Sequence, residues 1–335
     1  MYNILVLGIS GNVSFGILKA LKYARIECRI IGGCVNIGTA SDLWCDEVIE
    51  SPYADDPDFI PWLIHVCNQK EIDIFLTGVE EILYAVSKNI DRLKNGTHTV
   101  FIVSDFRMLE IGQNKLLTCQ WLKEHGFNYP KYALSQDKNS VWDLCEDVGF
   151  PLIAKPIKGK GSHGLKLIKS MTDLRKICNM ENMIVQQHIG NKDSEYTVGC
   201  YLCRDGFVVK PIIMQRWLNN GATWKVRVIE NSLIEQDAVR ICEAFKPTGP
   251  MNIQLRLDQN GIPIPFELNV RFSGSTPMRT HFGFNDVEAV ISEYLENKPV
   301  CDLFNIRIGE AFRYINEIYK VTGRDNPVVD KTPEF

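Results

Sequence analysis

The sequence predicts an α/β domain with a parallel, Rossmann-like sheet at its N-terminus, followed by an α+β region. Three observations carry this. Over the first hundred residues, apolar runs of strand length alternate with stretches of helical period. Beyond about residue 105 strands and helices interleave without that regularity. Near the C-terminal end, Asn260-Gly261 separates two alternating runs, the signal of an antiparallel hairpin.

The elements follow in order. "NILVLGIS", "SFGILKALKYA", "ECRIIGG", "DFIPWLIHVCNQ", "DIFLTG", "EEILYAVSKNIDRL" and "TVFIVS" form a βαβ series. Such a series builds a parallel sheet with helices on both faces. "NKLLTCQWLKEHG" then reads as a helix ending at Gly126, and "SVWDLCEDVG" as another. "FPLIAKPIKGKGSHGLKLI" is two strands around a glycine-rich loop, and "MIVQQHI", "SEYTVGCYLCRDGFVVKPII" and "WKVRVIE" are strands. Helices are expected at 233–246 and 285–297. The divisions are 1–104, 105–185 with the glycine-rich loop, 186–300, and a C-terminal segment 301–335 with a polar tail, "GRDNPVVDKTPEF", loose at its end.

Composition narrows the function. A net charge of −4, with 45% hydrophobic and 23% charged residues, is that of an ordinary soluble protein and argues against nucleic acid or an anionic membrane as partner. The opening "MYNILVLGIS" lacks the basic start and cleavage site of a signal peptide. Eleven cysteines lie scattered without metal-ligand spacing, which fits a reducing cytoplasm. Cys200 and Cys203 form the one C-x-x-C, but residues three apart on a strand point to opposite faces. Gly8, Gly11 and Gly16 mark a tight strand-to-helix turn facing a ligand crevice. Their spacing is not G-x-G-x-x-G and no acidic residue ends the second strand, so an NAD oxidoreductase has little support.

The hairpin "PMNIQLRLDQNGIPIPFELNVRFSGSTP" holds the first half of a site. A type I′ turn at Asn260-Gly261 faces Gln259 with Ile262 and sets Gln254 opposite Glu267. Ile253, Leu255, Leu257, Phe266 and Leu268 then share the core face, and Gln254, Arg256, Asp258, Glu267, Asn269 and Arg271 the other. A carboxylate, two amide oxygens and a guanidinium suit a hard divalent cation bound beside phosphate; the alternative is a solvated sheet face.

The second half lies upstream. Lys155 ends an apolar strand, and Gly159, Gly161 and Gly164 with Lys158, Lys160, Ser162 and His163 make a basic loop able to approach phosphates, or an ordinary hairpin turn. Beyond "IVQQHI", Glu195 stands where a carboxylate would take ribose hydroxyls, unless it is an exposed loop residue. Glu80 and Glu81 in "LTGVEE" either face the crevice, where they would hold an amine, or simply start a helix.

Taken together these motifs resemble the ATP-grasp superfamily, and within it the carbamoyl-phosphate-synthase-like branch. They run in order over roughly 105–300: Lys115 in "GQNKLL", Lys155 in "PLIAKP", the loop "KGKGSHG", "IVQQHI", Glu195 in "SEYTV", then Gln254, Glu267, Asn269 and Arg271. The leading βαβ domain resembles the pre-ATP-grasp domain. The resemblance implies that Lys115 and Lys155 contact ATP phosphates, and that Lys158, Gly161, Ser162, His163 and Gly164 close over the triphosphate. It implies that Gln186, Gln187, His188 and Ile189 meet adenine and Glu195 the ribose. Gln254, Glu267 and Asn269 would hold one or two Mg²⁺, with Mn²⁺ as a substitute, while Arg271 and Lys155 act on the transferring phosphoryl group. Two departures stand out: Val270 replaces the family's proline, and Gln187 its linker glutamate.

The implied activity is an ATP-dependent carboxylate–amine ligation through an acyl phosphate, releasing ADP and phosphate. Ser273, Gly274, Ser275 and Arg279, with Arg216 and Lys225, are candidates to meet small-molecule substrates. The competing readings are a carboxylate or carbamate kinase of carbamoyl-phosphate-synthase type and a non-catalytic ATP-binding module. A complete carbamoyl phosphate synthase is not expected, since one unit appears without a glutaminase. Many members of the family dimerise, so a homodimer is open, although no self-complementary patch argues for it.

Overall fold

The computed structural model describes residues 1–159 and 163–315, together with the backbone of two paired strands, Ile318–Tyr319 and Val328–Val329. The expected loose tail otherwise falls outside the described residues.

The first domain runs β1 (Tyr2–Leu7), α1 (Asn12–Leu21), β2 (Cys28–Cys34), β3 (Glu47–Glu50), α2 (Phe59–Gln69), β4 (Ile74–Thr77), α3 (Glu80–Lys88), α4 (Ile90–Gly96) and β5 (Val100–Phe101). Its sheet is parallel throughout, in the order β3-β2-β1-β4-β5. The central strand β1 is apolar on both faces because helices cover both. Ile4 and Val6 join Ile17 and Leu18 of α1, while Leu5 and Leu7 join Phe59 and Leu63 of α2. Each such buried side chain contributes about 1.5–3 kcal/mol. Strand order reverses between β1 and β4, the position where ligand crevices open in such sheets. There Gly8 adopts φ +73, and a Cβ on it would lie 2.2 Å from Val79.

Next come α5 (Phe106–Gln113) and α6 (Lys115–Glu124), then β6 (Tyr132–Leu134), α7 (Lys138–Val148), β7 (Leu152–Pro156), β8 (Lys166–Ile168), α8 (Met171–Ile177) and β9 (Met183–Gln187). These four strands form an antiparallel sheet, β6-β9-β7-β8. The larger region comprises β10 (Glu195–Leu202), β11 (Ile212–Asn219), β12 (Ala222–Ile229), α9 (Ser232–Phe245), β13 (Gly249–Leu257), β14 (Pro263–Asn269), α10 (Thr276–His281), α11 (Asp286–Tyr294) and β15 (Glu310–Phe312). Its sheet is ordered β14-β13-β10-β11-β12-β15. Chain order places α5 and α6 with the small sheet. Their apolar residues Leu109, Ile111, Trp121 and Leu122 instead share a core with Ile253, Leu255 and Leu268 of the large one.

The hairpin differs from expectation in a way that preserves its outcome. Of the turn residues only Gly261 has positive φ, +76, so the turn is not type I′. Asp258 Oδ1 instead accepts from the backbone N–H of Asn260 and Ile262, both at 2.8 Å, and the connection is one residue longer. That alone would slip the register by one. An irregularity further along, where Gln254 faces Glu267 but Leu255 faces Pro265, makes Phe266 an extra residue on β14 and restores the Gln254–Glu267 pairing. The cost to the expected pattern is that Phe266 leaves the core face and lines the cleft.

Cys200 packs in one core and Cys203 in another, on opposite sides of the sheet, and all eleven cysteines are free. Among the described residues no helix is long and apolar enough to cross a membrane.

Candidate active site

A cleft opens between the small and large sheets, lined by Lys115, Lys155, His163, Gln186, Gln187, Ile189, Glu195, Arg216, Gln254, Arg256, Phe266 and Glu267. Each polar group arrives there through local rules. Asn114 caps α6 by accepting from Leu116 and Leu117 N–H at 3.0 and 3.2 Å, which makes Lys115 the first helical residue. Its ammonium donates to Gly159 O at 2.9 Å, and Asn114 pairs with Lys158 as a β-bridge, so the near end of the glycine-rich loop is docked on α6.

On β7, Leu152 and Ala154 are fully buried in the small sheet's core, while the alternate Ile153 and Lys155 line the cleft. Burial, and then the charge of Lys115, pushes Lys155 down to about 8. Its Nζ stands 5.2 Å from the Phe266 ring centroid. Lys115 is also lowered by burial, against the opposing pull of Glu267 and Glu80. Lys158 is exposed beside the cleft, His163 lines it, and Gly164 takes φ +74 against Pro156. Gly161 and Ser162 lie outside the described residues.

The linker begins where β9 ends. Gln186 is buried and its Nε2 donates to Cys119 Sγ at 3.0 Å; Gln187 Oε1 accepts from Lys131 N–H at 3.4 Å. The backbone of His188 and Ile189 runs on beyond the sheet ladder, and Ile189 O accepts from Arg256 Nη1 at 3.1 Å. Burial and the nearby Arg256 lower the His188 imidazole.

Glu195 opens β10 and has both oxygens committed. Oε1 accepts from Arg216 Nε and Nη2 at 3.0 and 2.7 Å, and Oε2 from Arg256 Nε and Nη2 at 3.0 and 2.7 Å. Four donors fill the four lone-pair sites of a carboxylate. Burial works against its charge, but Arg216 and then Arg256 outweigh burial and hold it below the usual carboxylate range. In this state Glu195 positions two arginines and presents no free acceptor to a ribose.

Arg216 carries this network to the expected metal ligands by donating to Gln254 Oε1 at 2.6 Å. Gln254 Nε2 and Asn269 Nδ2 both donate to Glu267 Oε1, at 3.2 and 2.8 Å. The three expected ligands are thus one connected cluster with a single carboxylate. No group of three or more acidic, His or Cys side chains able to hold a metal occurs among the described residues. That donor set does not make a self-sufficient cation cage. It fits Mg²⁺, which binds through one or two carboxylates and completes its shell with phosphate oxygens and water.

Arg271 turns away from this cluster and donates to Glu80 Oε1 at 2.7 Å and to Phe272 O at 2.9 Å. Glu80 is the first residue of α3, just beyond the end of β4, so the pair bridges the two halves of the protein. Of the candidate substrate residues, Arg216 lies in the cleft. Ser273 and Ser275 are buried and share a hydrogen bond at 2.8 Å, and Gly274 O accepts from Arg313 at 2.7 Å. Arg279 has no exposed surface and donates from Nη2 to Asp286 and Thr276, while its Nε and Nη1 are buried without partners among the described residues, so it does not face the cleft. Lys225 lies away from the cleft, 3.3 Å from Glu310 and over the Trp217 and Phe312 rings. Several cleft residues escaped assignment from sequence, Arg256 and Phe266 among them. Arg256 was legible as a polar-face residue without a role, and Phe266 was hidden by the unforeseen bulge.

Two family models match the chain: "ATP-grasp in the biosynthetic pathway with Ter operon" over residues 179–316, and "RimK-like ATP-grasp domain" over residues 112–229. Among curated proteins the chain is 24% identical over 215 residues to multifunctional protein ura1 of Schizosaccharomyces pombe, covering 58% of this chain and 9% of that protein. It is 22% identical over 234 residues to the arginine-specific carbamoyl phosphate synthase large chain of Bacillus subtilis, covering 64% and 22%. The chain therefore spans less than a quarter of either relative. Among solved structures, Campylobacter jejuni biotin carboxylase superposes with TM-score 0.72 at 15% identity over 92% of this chain and 74% of that one. The L-amino acid ligase of Bacillus licheniformis gives 0.67 at 16% identity over 88% and 74%. At these identities the structural likeness establishes the fold. With both family models falling on the sheets that form the cleft, the chain belongs to the ATP-grasp superfamily.

Proposed function

We propose that this protein is an ATP- and Mg²⁺-dependent ligase that joins a small-molecule carboxylate to an amine through an acyl phosphate, releasing ADP and phosphate. The observation that carries the reading is the cluster in the cleft: Gln254, Glu267 and Asn269 hydrogen-bonded together, with Arg216 on Gln254 and Lys115 and Lys155 lining the same cavity. Lys115 and Lys155 meet triphosphate oxygens, and a phosphate beside Lys155 offsets the desolvation that lowers its pKa. The apolar wall of Ile153, Ile189, Leu218 and Phe266 suits a purine ring, next to the 188–189 backbone. Glu267, with the Asn269 amide oxygen and with Gln254 once its Oε1 is released by Arg216, would hold Mg²⁺, which would neutralise charge on the phosphates.

The γ-phosphoryl group passes to a carboxylate oxygen, the amine attacks the acyl carbon, and phosphate leaves as the C–N bond forms and the amine loses a proton. The chain contributes position and electrostatics, with no covalent enzyme intermediate. Arg271, held in position by Glu80, steadies the phosphoryl group in transit. The glycine-rich loop, docked through Lys115 and Lys158, shields the acyl phosphate from water.

The test is turnover with MgATP against pooled amino acids and small carboxylates, measuring ADP, AMP and phosphate separately. Substrate-dependent ADP and phosphate, lost in Glu267→Ala, supports ligation; AMP and pyrophosphate sink it. The carbamoyl-phosphate-synthase relative favours one alternative, a carboxylate or carbamate kinase. ADP formed in the absence of any amine and without matching release of phosphate, as the acyl phosphate accumulates free in solution, distinguishes it.

A further inference from the structure

Outside the cleft, a second group of cations gathers on α1. Asn12, Phe15 and Lys19 lie three, four and seven residues apart and share one face of the helix. Lys19 leans back toward the N-terminus, so that its Nζ sits 4.4 Å from the Phe15 ring centroid and 5.8 Å from that of Trp44. Trp44 meets Phe15 edge-on at 5.6 Å, making an aromatic floor. One turn further along, Arg313 docks on the same helix: Nη1 donates to Asn12 Oδ1 at 2.9 Å and Nη2 to Gly274 O at 2.7 Å. Arg313 is fixed from behind by its N–H on Trp224 O at 2.7 Å, just beyond β15. Residues 12 and 15 differ by about 4.5 Å along the axis, so the two cationic heads lie within about one helical turn of each other.

Two half-buried cations this close repel, and an acid between them is the usual resolution. Among the described residues neither forms an ion pair. Burial, then Arg313, lowers Lys19, and burial lowers Arg313. The neighbouring polar groups, Asn12 Oδ1 and Gly274 O, are acceptors already used by Arg313, which leaves its remaining N–H groups and the ammonium as unmatched donors. Gly274 lies three residues after Arg271, so the group adjoins the bridge between the two halves of the protein.

We propose that Lys19 and Arg313 seat an anionic oxyacid group, a carboxylate or a phosphate monoester, carried by the second small-molecule substrate. Its assignment to a substrate rests on the ligase reading, whereas anion binding is measurable without turnover.

The experiment is calorimetric titration of inorganic phosphate, and separately of succinate, into the full chain saturated with MgADP. Binding weakened about tenfold in both Lys19→Gln and Arg313→Gln, kept in Lys19→Arg, and accompanied by an unchanged MgADP affinity supports the site. Which of the two probes binds identifies the phosphate or the carboxylate. Binding of neither probe to the wild type, or binding by both Gln variants as tight as by the wild type, overturns it. So does binding that survives both substitutions and disappears in Lys155→Met, which places the anion in the nucleotide cleft. If MgADP itself fails to bind, the nucleotide reading falls, and the same titration of the free protein still decides on Lys19 and Arg313.

Discussion

Arg271 Nη2 stands 2.7 Å from Glu80 Oε1, across 191 residues of chain. The guanidinium that we propose acts in phosphoryl transfer is thus held by a carboxylate from the parallel-sheet region. Both side chains are mostly shielded, at 14% and 18% exposure, which preserves the attraction from full screening by solvent. Glu80→Gln keeps the shape and removes the charge. We expect about a tenfold fall in turnover with the KM for ATP changed less than about twofold, because position is lost and nucleotide contacts are not. Steady-state kinetics with ATP and the acceptor varied separately check this; an equal loss in the ATP KM contradicts it.

Lys155 is charged only below about pH 8 in the unliganded fold, against 10.5 ordinarily. Between these values the unfolded chain holds a proton that the folded protein has released, so this residue's contribution to stability rises with pH through that window. Triphosphate binding has the opposite sign, since phosphate oxygens favour the ammonium. MgATP affinity is expected to fall as pH rises through 8, with proton uptake on binding, and Lys155→Met to bind more weakly and without that dependence. Calorimetry in buffers of different ionisation enthalpy measures both.

Glu195 is locked between Arg216 and Arg256 with only 6% of its surface exposed. Glu195→Gln leaves the buried Arg216 and the partly buried Arg256 without their counter-charge, and a loss of about 3–5 kcal/mol is expected. The carboxylate's depressed pKa stabilises the fold above the unfolded value of 4.5, a contribution lost as pH falls below it. Acid unfolding curves of the variant should therefore be flatter on that limb. A variant as stable as the wild type, with an unchanged acid limb, contradicts this account.

Gly112 on α5 packs directly against β14: a Cβ there would lie 2.3 Å from the backbone oxygen of Leu268. Leu268 stands between Glu267 and Asn269, so a side chain at position 112 would push on the strand that carries both proposed metal ligands. Gly112→Ala is expected to cost about 1–3 kcal/mol and to weaken Mg²⁺-dependent nucleotide binding. A melting curve paired with a magnesium titration of MgATP binding checks the two effects; a variant that melts lower but binds normally separates the fold from the site.

Much of this was legible in the residues because the relevant geometry is local. Alternation along β7 sends Lys155 to the cleft, and hairpin pairing sets Gln254 opposite Glu267. The second result survived a wrong turn type only because the bulge at Phe266 compensated a longer connection. Neither feature has a short-range signature as strong as Asn-Gly itself.

The sequence by itself determined the alternation of most strands and helices, the parallel N-terminal sheet, and which carboxylate, amides and lysines come together around one cleft. Local period and chain direction suffice for these. Only tertiary structure decided how charges pair. Glu195 meets arginines 21 and 61 residues away, Arg271 meets Glu80 across the domain boundary, and Arg279 disappears into a buried pair with Asp286. An ion pair depends on distance in space, and distance in space is set by how whole sheets pack, which no window of neighbouring residues contains.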